Sequence, residues 1–339
     1  MIDHASLRDR AEAALPRDVF AYFAAGAGDE TTLARQERAW DEVLLRPRVL
    51  RDVSATSAAS QVLGHPITSP VLVAPTAMHR LAHPEGEVGV ARAARAAGSL
   101  LVLSMRSSTR VEAVAAAAGP FWQQLYVLQD RGVTDEVGRR AAAAGALALV
   151  VTVDTPRVAR KRAGLPVSRP STGIIESLDH RHVADPRLMQ AEDVGPRDLE
   201  RLAENSGLPV VAKGVLTAEA ARDCVAAGAS AVVVSTHGGR QLDGVVPAPL
   251  ALPEVVEAVG DQVEVYVDGG VRTGSHVLKA LALGARAVLI GRPVIWALAT
   301  GGSDRVRDLL VDMASEVEEA LALAGCPSCT DVGPDLVRR

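Results

Sequence analysis

The chain has 339 residues, 48% hydrophobic and 23% charged, a balance suited to one large α/β domain or two ordinary ones with a substantial core. A net charge of −5 and a pI near 5.9 give no footing to a nucleic-acid or anionic-membrane partner. The opening MIDHASLRDRAEAALPRDVF lacks the basic-then-apolar order of a signal peptide, and no charge-free apolar stretch of roughly 18 residues occurs, so nothing is expected to span a membrane.

Residues 1–60 read as an N-terminal extension whose helices cap one end of the main domain. From residue 70, short apolar runs alternate with helical patterns. The runs are PVLVAP (70–75), LLVLS (100–104), FWQQLYV (121–127), ALALVVTVD (146–154), PVVAKG (209–214), AVVVS (231–235), VEVYVDGG (263–270) and AVLIGRP (287–293). Such unbroken Val/Ile/Leu runs predict parallel strands buried on both faces. Gly98, Gly119, Gly145, Gly228 and Gly284 stand where helices would end in a left-handed cap. Eight strand–helix units predict an α/β fold of the (β/α)8 TIM barrel type. An open doubly wound sheet should carry GxGxxG after its first strand; PTAMHRLAH stands there instead.

The fourth and fifth strands are about 55 residues apart, and the Pro-, Ser- and charge-rich stretch 163–195 between them is expected to form a mobile lid. Residues 301–339 hold an amphipathic helix, VRDLLVDMASEVEEALALAG, expected to pack outside the barrel. The chain thus reads as a single domain, 1–339, with its barrel over 70–300. Its three cysteines are Cys224, Cys326 and Cys329. An odd count without a signal fits a reducing, cytoplasmic setting. The lone CPSC has no second CxxC or His pair, so no metal is expected.

Active sites of such barrels lie at the C-terminal strand ends. The polar residues there are Thr76 after strand one, Ser104 after two, Gln124 and Tyr126 on three, and Thr152 and Asp154 on four. Lys213 ends strand five, Ser235, His237 and Arg240 follow six, Asp268, Gly270 and Arg272 follow seven, and Gly291 and Arg292 follow eight. Singly, each has an ordinary structural reading as a loop hydrogen-bonder, a turn former or a solvated charge. Polar groups at all eight ends of one rim point to a binding site. DGGVRTG and IGRP put glycines and arginines beside helix starts after strands seven and eight, the standard phosphate position of this fold. Gln124, Thr152 and Ser104 suit the edge of a heterocycle, with Lys213 supplying positive charge beneath it; a flavin ring would be served by such a cation. His237 can take a proton near neutral pH, and Arg240 can grip a carboxylate in a fork.

VVVSTHGGRQLDG, followed by YVDGGVRTGSHVLKALALGARAVLIGRP, closely resembles the FMN-dependent α-hydroxy-acid oxidases and dehydrogenases, which include glycolate oxidase, lactate oxidase and mandelate dehydrogenase. The likeness extends through LPRDVFAYFAAGAGDETTL, RPRVLRDV, APTAMHRLAHPEGE, QLYV, TVDTP and KGV. It implies FMN as cofactor and oxidation of an (S)-2-hydroxy acid to a 2-oxo acid, with hydride passing to flavin N5. His237 would be the base and Asp154 its partner. Tyr22 and Arg240 would bind the substrate carboxylate, and Tyr126 its hydroxyl. Lys213 would sit at the flavin N1–O2 edge. Ala74, Pro75, Thr76, Ala77, Ser104, Gln124 and Thr152 would hold the ring, with Ser235 beside them. Asp268, Gly270, Arg272, Gly291 and Arg292 would hold the ribityl phosphate. Ala77 matches the oxidase-like form of its loop, which favours oxygen as acceptor. A homo-oligomer, a tetramer or larger, is expected from the family alone.

The departures from the family pattern concern the substrate. Thr236 replaces the Asn of SNHGGRQLD. ARKRAG puts Lys161 where an arginine is usual and Arg162 where a glutamate is usual. Arg106 stands where glycolate oxidase has an aromatic residue beside the substrate side chain. These added cations raise the expectation that Arg106 or Lys161 meets a second anionic group on the substrate. The alternatives are an Arg106 that swings to solvent, a tailoring oxidoreductase acting on a larger carrier-bound or peptide-derived substrate, and a non-catalytic flavin-binding protein, which the retained His237, Arg240, Tyr126, Asp154 and Lys213 argue against.

Overall fold

The computed structural model describes residues 3–161 and 188–338. The eight apolar runs form eight strands: β1 (Val71–Val73), β2 (Leu101–Leu103), β3 (Phe121–Tyr126), β4 (Leu149–Thr152), β5 (Val210–Val215), β6 (Ala231–Val234), β7 (Glu264–Asp268) and β8 (Ala287–Ile290). Each pairs in parallel with the next, and β8 closes on β1 with Val288, Leu289 and Ile290 opposite Val71, Leu72 and Val73. Every residue of β1, β2, β4, β6 and β8 is buried, because one face fills the barrel and the other meets the surrounding helices.

The pleat sorts these residues. Leu72, Val102, Trp122, Val150, Val211, Val233, Tyr266 and Leu289 belong to one cluster inside the barrel. Their strand neighbours, such as Val73, Leu103, Leu125 and Val151, pack in the outer layer. Side chains alternate across a strand. The next inward position on each strand is therefore Ala74, Ser104, Gln124, Thr152, Lys213, Ser235, Asp268 and Gly291 in turn. Strand parity alone places the predicted rim residues on one floor.

The opposite end of the barrel is plugged. Trp122 and Tyr266 meet with ring centroids 5.5 Å apart, and an antiparallel hairpin of Ser60–Val62 and His65–Ile67 inserts Val62 and Ile67 beneath them. The Leu63 amide donates to Glu264 Oε2 at 3.1 Å. This plug was not among the expected elements, since three residues per strand are too few to show a periodicity.

The extension supplies helices His4–Ala14, Arg17–Ala24 and Thr31–Glu42. Asp3 caps the first by accepting from the Ala5 and Ser6 amides. The third lies across the strand ends, with Gln36 and Trp40 buried and Trp40 Nε1 donating to Gly269 O at 2.8 Å. The last helix, Arg292–Leu323, is interrupted at Gly301 and Gly302, whose backbone angles are not helical. The tail beyond it holds two short 3-10 turns, Cys329–Asp331 and Pro334–Leu336, before Val337–Arg338 pairs antiparallel with Leu44–Leu45. Of the five predicted glycine caps, Gly98, Gly145, Gly228 and Gly284 have positive φ. Gly119 does not, because helix Val111–Ala117 ends on an extended Ala118. Most of the predicted lid, residues 163–187, lies outside the described residues, as does Arg162. Its last part packs, with Leu188 and Ala191 buried and the Ala191 amide bonded to Val127 O at 2.9 Å. Among the described residues no helix is long and apolar enough to cross a membrane.

Candidate active site

A cavity of about 680 Å3 opens at the C-terminal ends of the strands, within the range usual for small-molecule sites. Of the predicted residues, Tyr22, Ala74, Pro75, Thr76, Ala77, Ser104, Arg106, Gln124, Tyr126, Thr152, Lys161, Lys213, His237, Arg240, Asp268, Gly270, Arg272, Gly291 and Arg292 line it. Asp154 and Ser235 stand one layer back, bonded to groups that line it.

His237 is placed by a backbone turn. It has φ 55°, and Gly238 and Gly239 follow at 64° and 70°, so the chain folds back immediately after β6. The His237 amide is held by Ser235 Oγ at 3.0 Å. Its Nδ1 lies 3.0 Å from Asp154 Oδ1, and Thr155 donates to the same carboxylate at 2.9 Å. Burial works to raise the Asp154 carboxyl, but His237 and then Lys213 outweigh it and hold it below the usual carboxylate range. An ionised Asp154 accepts from Nδ1–H and leaves Nε2 as the imidazole's basic nitrogen. Asp154 packs where β5 irregularly shifts register: a Cβ at Gly214 (φ 113°) would fall 2.5 Å from its side chain.

Lys213 rises at the barrel axis, bonded to Ser235 Oγ at 2.8 Å and Asp268 Oδ2 at 2.9 Å. Burial disfavours its charge, yet Asp268 and Asp154 prevail and raise its pKa, so it is an ammonium. Asp268 Oδ1 is buried, and no described residue donates to it. Gln124 bridges the floor, accepting from the Met105 amide at 3.2 Å and donating to Thr152 Oγ1 at 3.0 Å. Tyr126 keeps its proton, since burial raises its phenol. Glu87, wholly buried, ties the β1 and β2 loops by accepting from the His79 amide at 3.0 Å, the Ser108 amide at 2.8 Å and Thr109 Oγ1 at 2.9 Å.

The arginines divide their donors. Arg240 stacks on Tyr22 at 5.5 Å and gives Nη1 to the carbonyls of Tyr22, Phe23 and Ala25. No described residue accepts from its Nε or Nη2, the edge that matches a carboxylate. Arg292 has all three nitrogens on carbonyls, those of Phe23, Gly238 and Ala25. Burial, Arg240 and Arg272 push it down to about 9. Arg272 is likewise lowered by burial and pairs with Glu37 at 2.6 Å. Lys161 donates to Arg240 O at 2.5 Å, so it braces the arginine's backbone.

Two partners were missed from sequence. Gln36 donates to Thr236 Oγ1, so the threonine in place of the usual asparagine is a buried acceptor for the extension's third helix. The same Gln36 sits against the glycine pair: a Cβ at Gly269 (φ 93°) would lie 2.5 Å from its Oε1, and one at Gly270 (φ 77°) 2.6 Å from its carbonyl. A contact across some two hundred residues of chain leaves no local pattern to read. Thr155, the second partner, lies inside the TVDTP motif beside Asp154.

A floor of hydrogen-bonding groups, a buried ammonium, two inward arginines beside glycine turns and a His–Asp pair at the rim define a barrel flavoenzyme. The model of the FMN-dependent dehydrogenase family matches residues 11–339. Glycolate oxidase 1 of Oryza sativa subsp. indica is 42% identical over 335 residues, covering 94% of this chain and 90% of that protein. The 4-hydroxymandelate oxidase of Amycolatopsis orientalis is 42% identical over 346 residues, covering 96% and 94%. A solved mandelate oxidase variant with (S)-mandelic acid superposes with a TM-score of 0.88 at 40% identity, covering 100% of this chain and 98% of that one. The chain belongs to the FMN-dependent dehydrogenase family, and its cofactor is FMN.

The cavity fits that cofactor. The orphaned Asp268 Oδ1 is an acceptor suited to a ribityl hydroxyl. Gly270 and Gly291 line the cavity just before helices Gly274–Ala282 and Arg292–Leu323, whose N-terminal ends suit a phosphate. Arg272 and Arg292 are half-buried cations, and the repulsion that Arg272 exerts on Arg292 is one an added dianion would relieve.

Proposed function

We propose that this enzyme oxidises an (S)-2-hydroxy acid to the 2-oxo acid at the rim formed by Tyr22, Tyr126, His237 and Arg240. The observation that carries this reading is His237 fixed through Nδ1 to a half-buried, ionised Asp154 at 3.0 Å, beside an arginine whose Nε/Nη2 edge has no described protein acceptor. The Arg240 edge takes the substrate carboxylate in two parallel bonds. With the carboxylate fixed, the C2 hydroxyl falls to the protonated Tyr126 phenol and to His237 Nε2. His237 accepts the hydroxyl proton, and the imidazolium that results is stabilised by Asp154. Ser104, Gln124, Thr152 and Lys213 would hold FMN, which would supply the acceptor for the two electrons of the Cα–H bond, with an external oxidant, which we read as O2, to restore it. Lys213 keeps a fixed positive charge at the barrel axis, which favours an electron-rich ring above it.

The relatives named as glycolate and 4-hydroxymandelate oxidases support this class of reaction. The test is His237→Ala. It is expected to lose on the order of 10²- to 10⁴-fold in kcat with FMN still bound; turnover close to that of the wild type removes the base assignment.

A further inference from the structure

We propose that Arg106 is the anchor for a second anionic group on the substrate, so that the preferred substrate class is a 2-hydroxy acid with a further carboxylate on its side chain. The proposal rests on the 2-hydroxy-acid reading above and narrows it.

Arg106 is held rigidly at its base. Its amide donates to Ser104 Oγ at 3.1 Å, and its carbonyl accepts from the Met78 amide at 3.1 Å. The guanidinium lies over the Tyr126 ring, 5.4 Å from the centroid, and lines the same cavity as His237 and Arg240. Its Nη2 is buried, and no described residue accepts from it. A buried N–H donor on a charged group without an acceptor is unfavourable, so the site is completed by something that enters.

The other cations of the cavity each have a counterion, a carbonyl or solvent to meet. Lys213 has Asp268. Arg272 has Glu37 and, with Arg292, the cofactor phosphate. Lys161 rests on the Arg240 carbonyl. Arg160 is exposed to solvent. Arg240 takes the C1 carboxylate. Arg106 is left with the face of one aromatic ring, which compensates a guanidinium only weakly. Its place over the Tyr126 ring is the ground for siting the missing anion. Tyr126 addresses the C2 hydroxyl, and Arg106 stacks on Tyr126, so a C2 substituent that runs along the Tyr126 side comes within reach of Arg106. A planar five-donor fork there matches a carboxylate better than a hydroxyl or an aryl group.

The experiment compares kcat/KM of the FMN-loaded enzyme for (S)-2-hydroxyglutarate and for (S)-2-hydroxypentanoate, acids of one chain length that differ in the terminal carboxylate. The wild type is expected to favour the dicarboxylate by on the order of 10- to 100-fold, the worth of a charge-assisted contact, chiefly through KM. Arg106→Met is expected to bring the ratio near one, and Arg106→Lys to leave it between the two. A wild-type ratio at or below one, or a ratio unchanged in Arg106→Met, overturns the assignment while leaving 2-hydroxy-acid oxidation standing. If neither these acids nor glycolate, lactate or mandelate reduces the bound flavin, the underlying reading falls and takes this one with it.

Discussion

Asp154→Asn isolates the electrostatic part of the proposed base. The asparagine amide can still meet His237 Nδ1 at about the 3.0 Å seen for the carboxylate, so the ring keeps a partner and loses a charge. Before proton transfer His237 is neutral and the change is small. After transfer it is an imidazolium, and two unit charges roughly 4 Å apart at an effective dielectric near 20 attract by about 4 kcal/mol. Part of that is recovered by the amide dipole and by water, so a loss of about 2–4 kcal/mol from the step is expected, or roughly 30- to 1,000-fold in kcat. The same substitution removes an anion that helps hold Lys213 charged, while Asp268 at 2.9 Å remains. The assay is anaerobic single-turnover reduction of the bound flavin, with the visible spectrum confirming that FMN is retained. A rate within threefold of the wild type would refute the role given to the His237–Asp154 pair.

Lys161 should make anion binding depend on pH. Burial, then Arg240 and Arg292, lower it from 10.5 to about 7, so it is charged below that pH and neutral above. Affinity for a carboxylate inhibitor such as oxalate is therefore expected to fall severalfold as pH rises through about 7, and Lys161→Met should flatten that change when inhibition constants are compared at pH 6 and 8; an unchanged slope in the variant excludes the lysine. Gly269→Ala forces a Cβ to 2.5 Å from Gln36 Oε1 at φ 93°. A non-glycine residue in such strained backbone costs about 1–3 kcal/mol, so faster release of FMN on dilution is expected, read as recovery of free-flavin fluorescence.

Most of the barrel was legible because its strands are buried on both faces and write themselves as unbroken Val/Ile/Leu runs. The floor of the site was legible for a related reason. Ser104, Gln124, Thr152, Lys213, Ser235 and Asp268 each stand two residues beyond an inward apolar side chain, and parity carries them to the same layer. What stayed hidden depends on chain segments far apart in sequence. Gln36 on Thr236, the Arg292 donors on Phe23 and Ala25 carbonyls, and Lys161 on the Arg240 carbonyl all join the extension or the residues just after β4 to distant strand ends. The plug hairpin was hidden by its shortness, and Gly119 misled because a glycine after a helix need not be its left-handed cap.

The most direct test of the account is to mix the FMN-loaded enzyme with (S)-2-hydroxy acids in the absence of oxygen and follow the oxidised flavin's visible absorbance, then readmit air. The account predicts bleaching by at least one (S)-acid but not its (R)-enantiomer, with one equivalent of 2-oxo acid per flavin and recovery of the colour in air. An absorbance that no 2-hydroxy acid changes would contradict it.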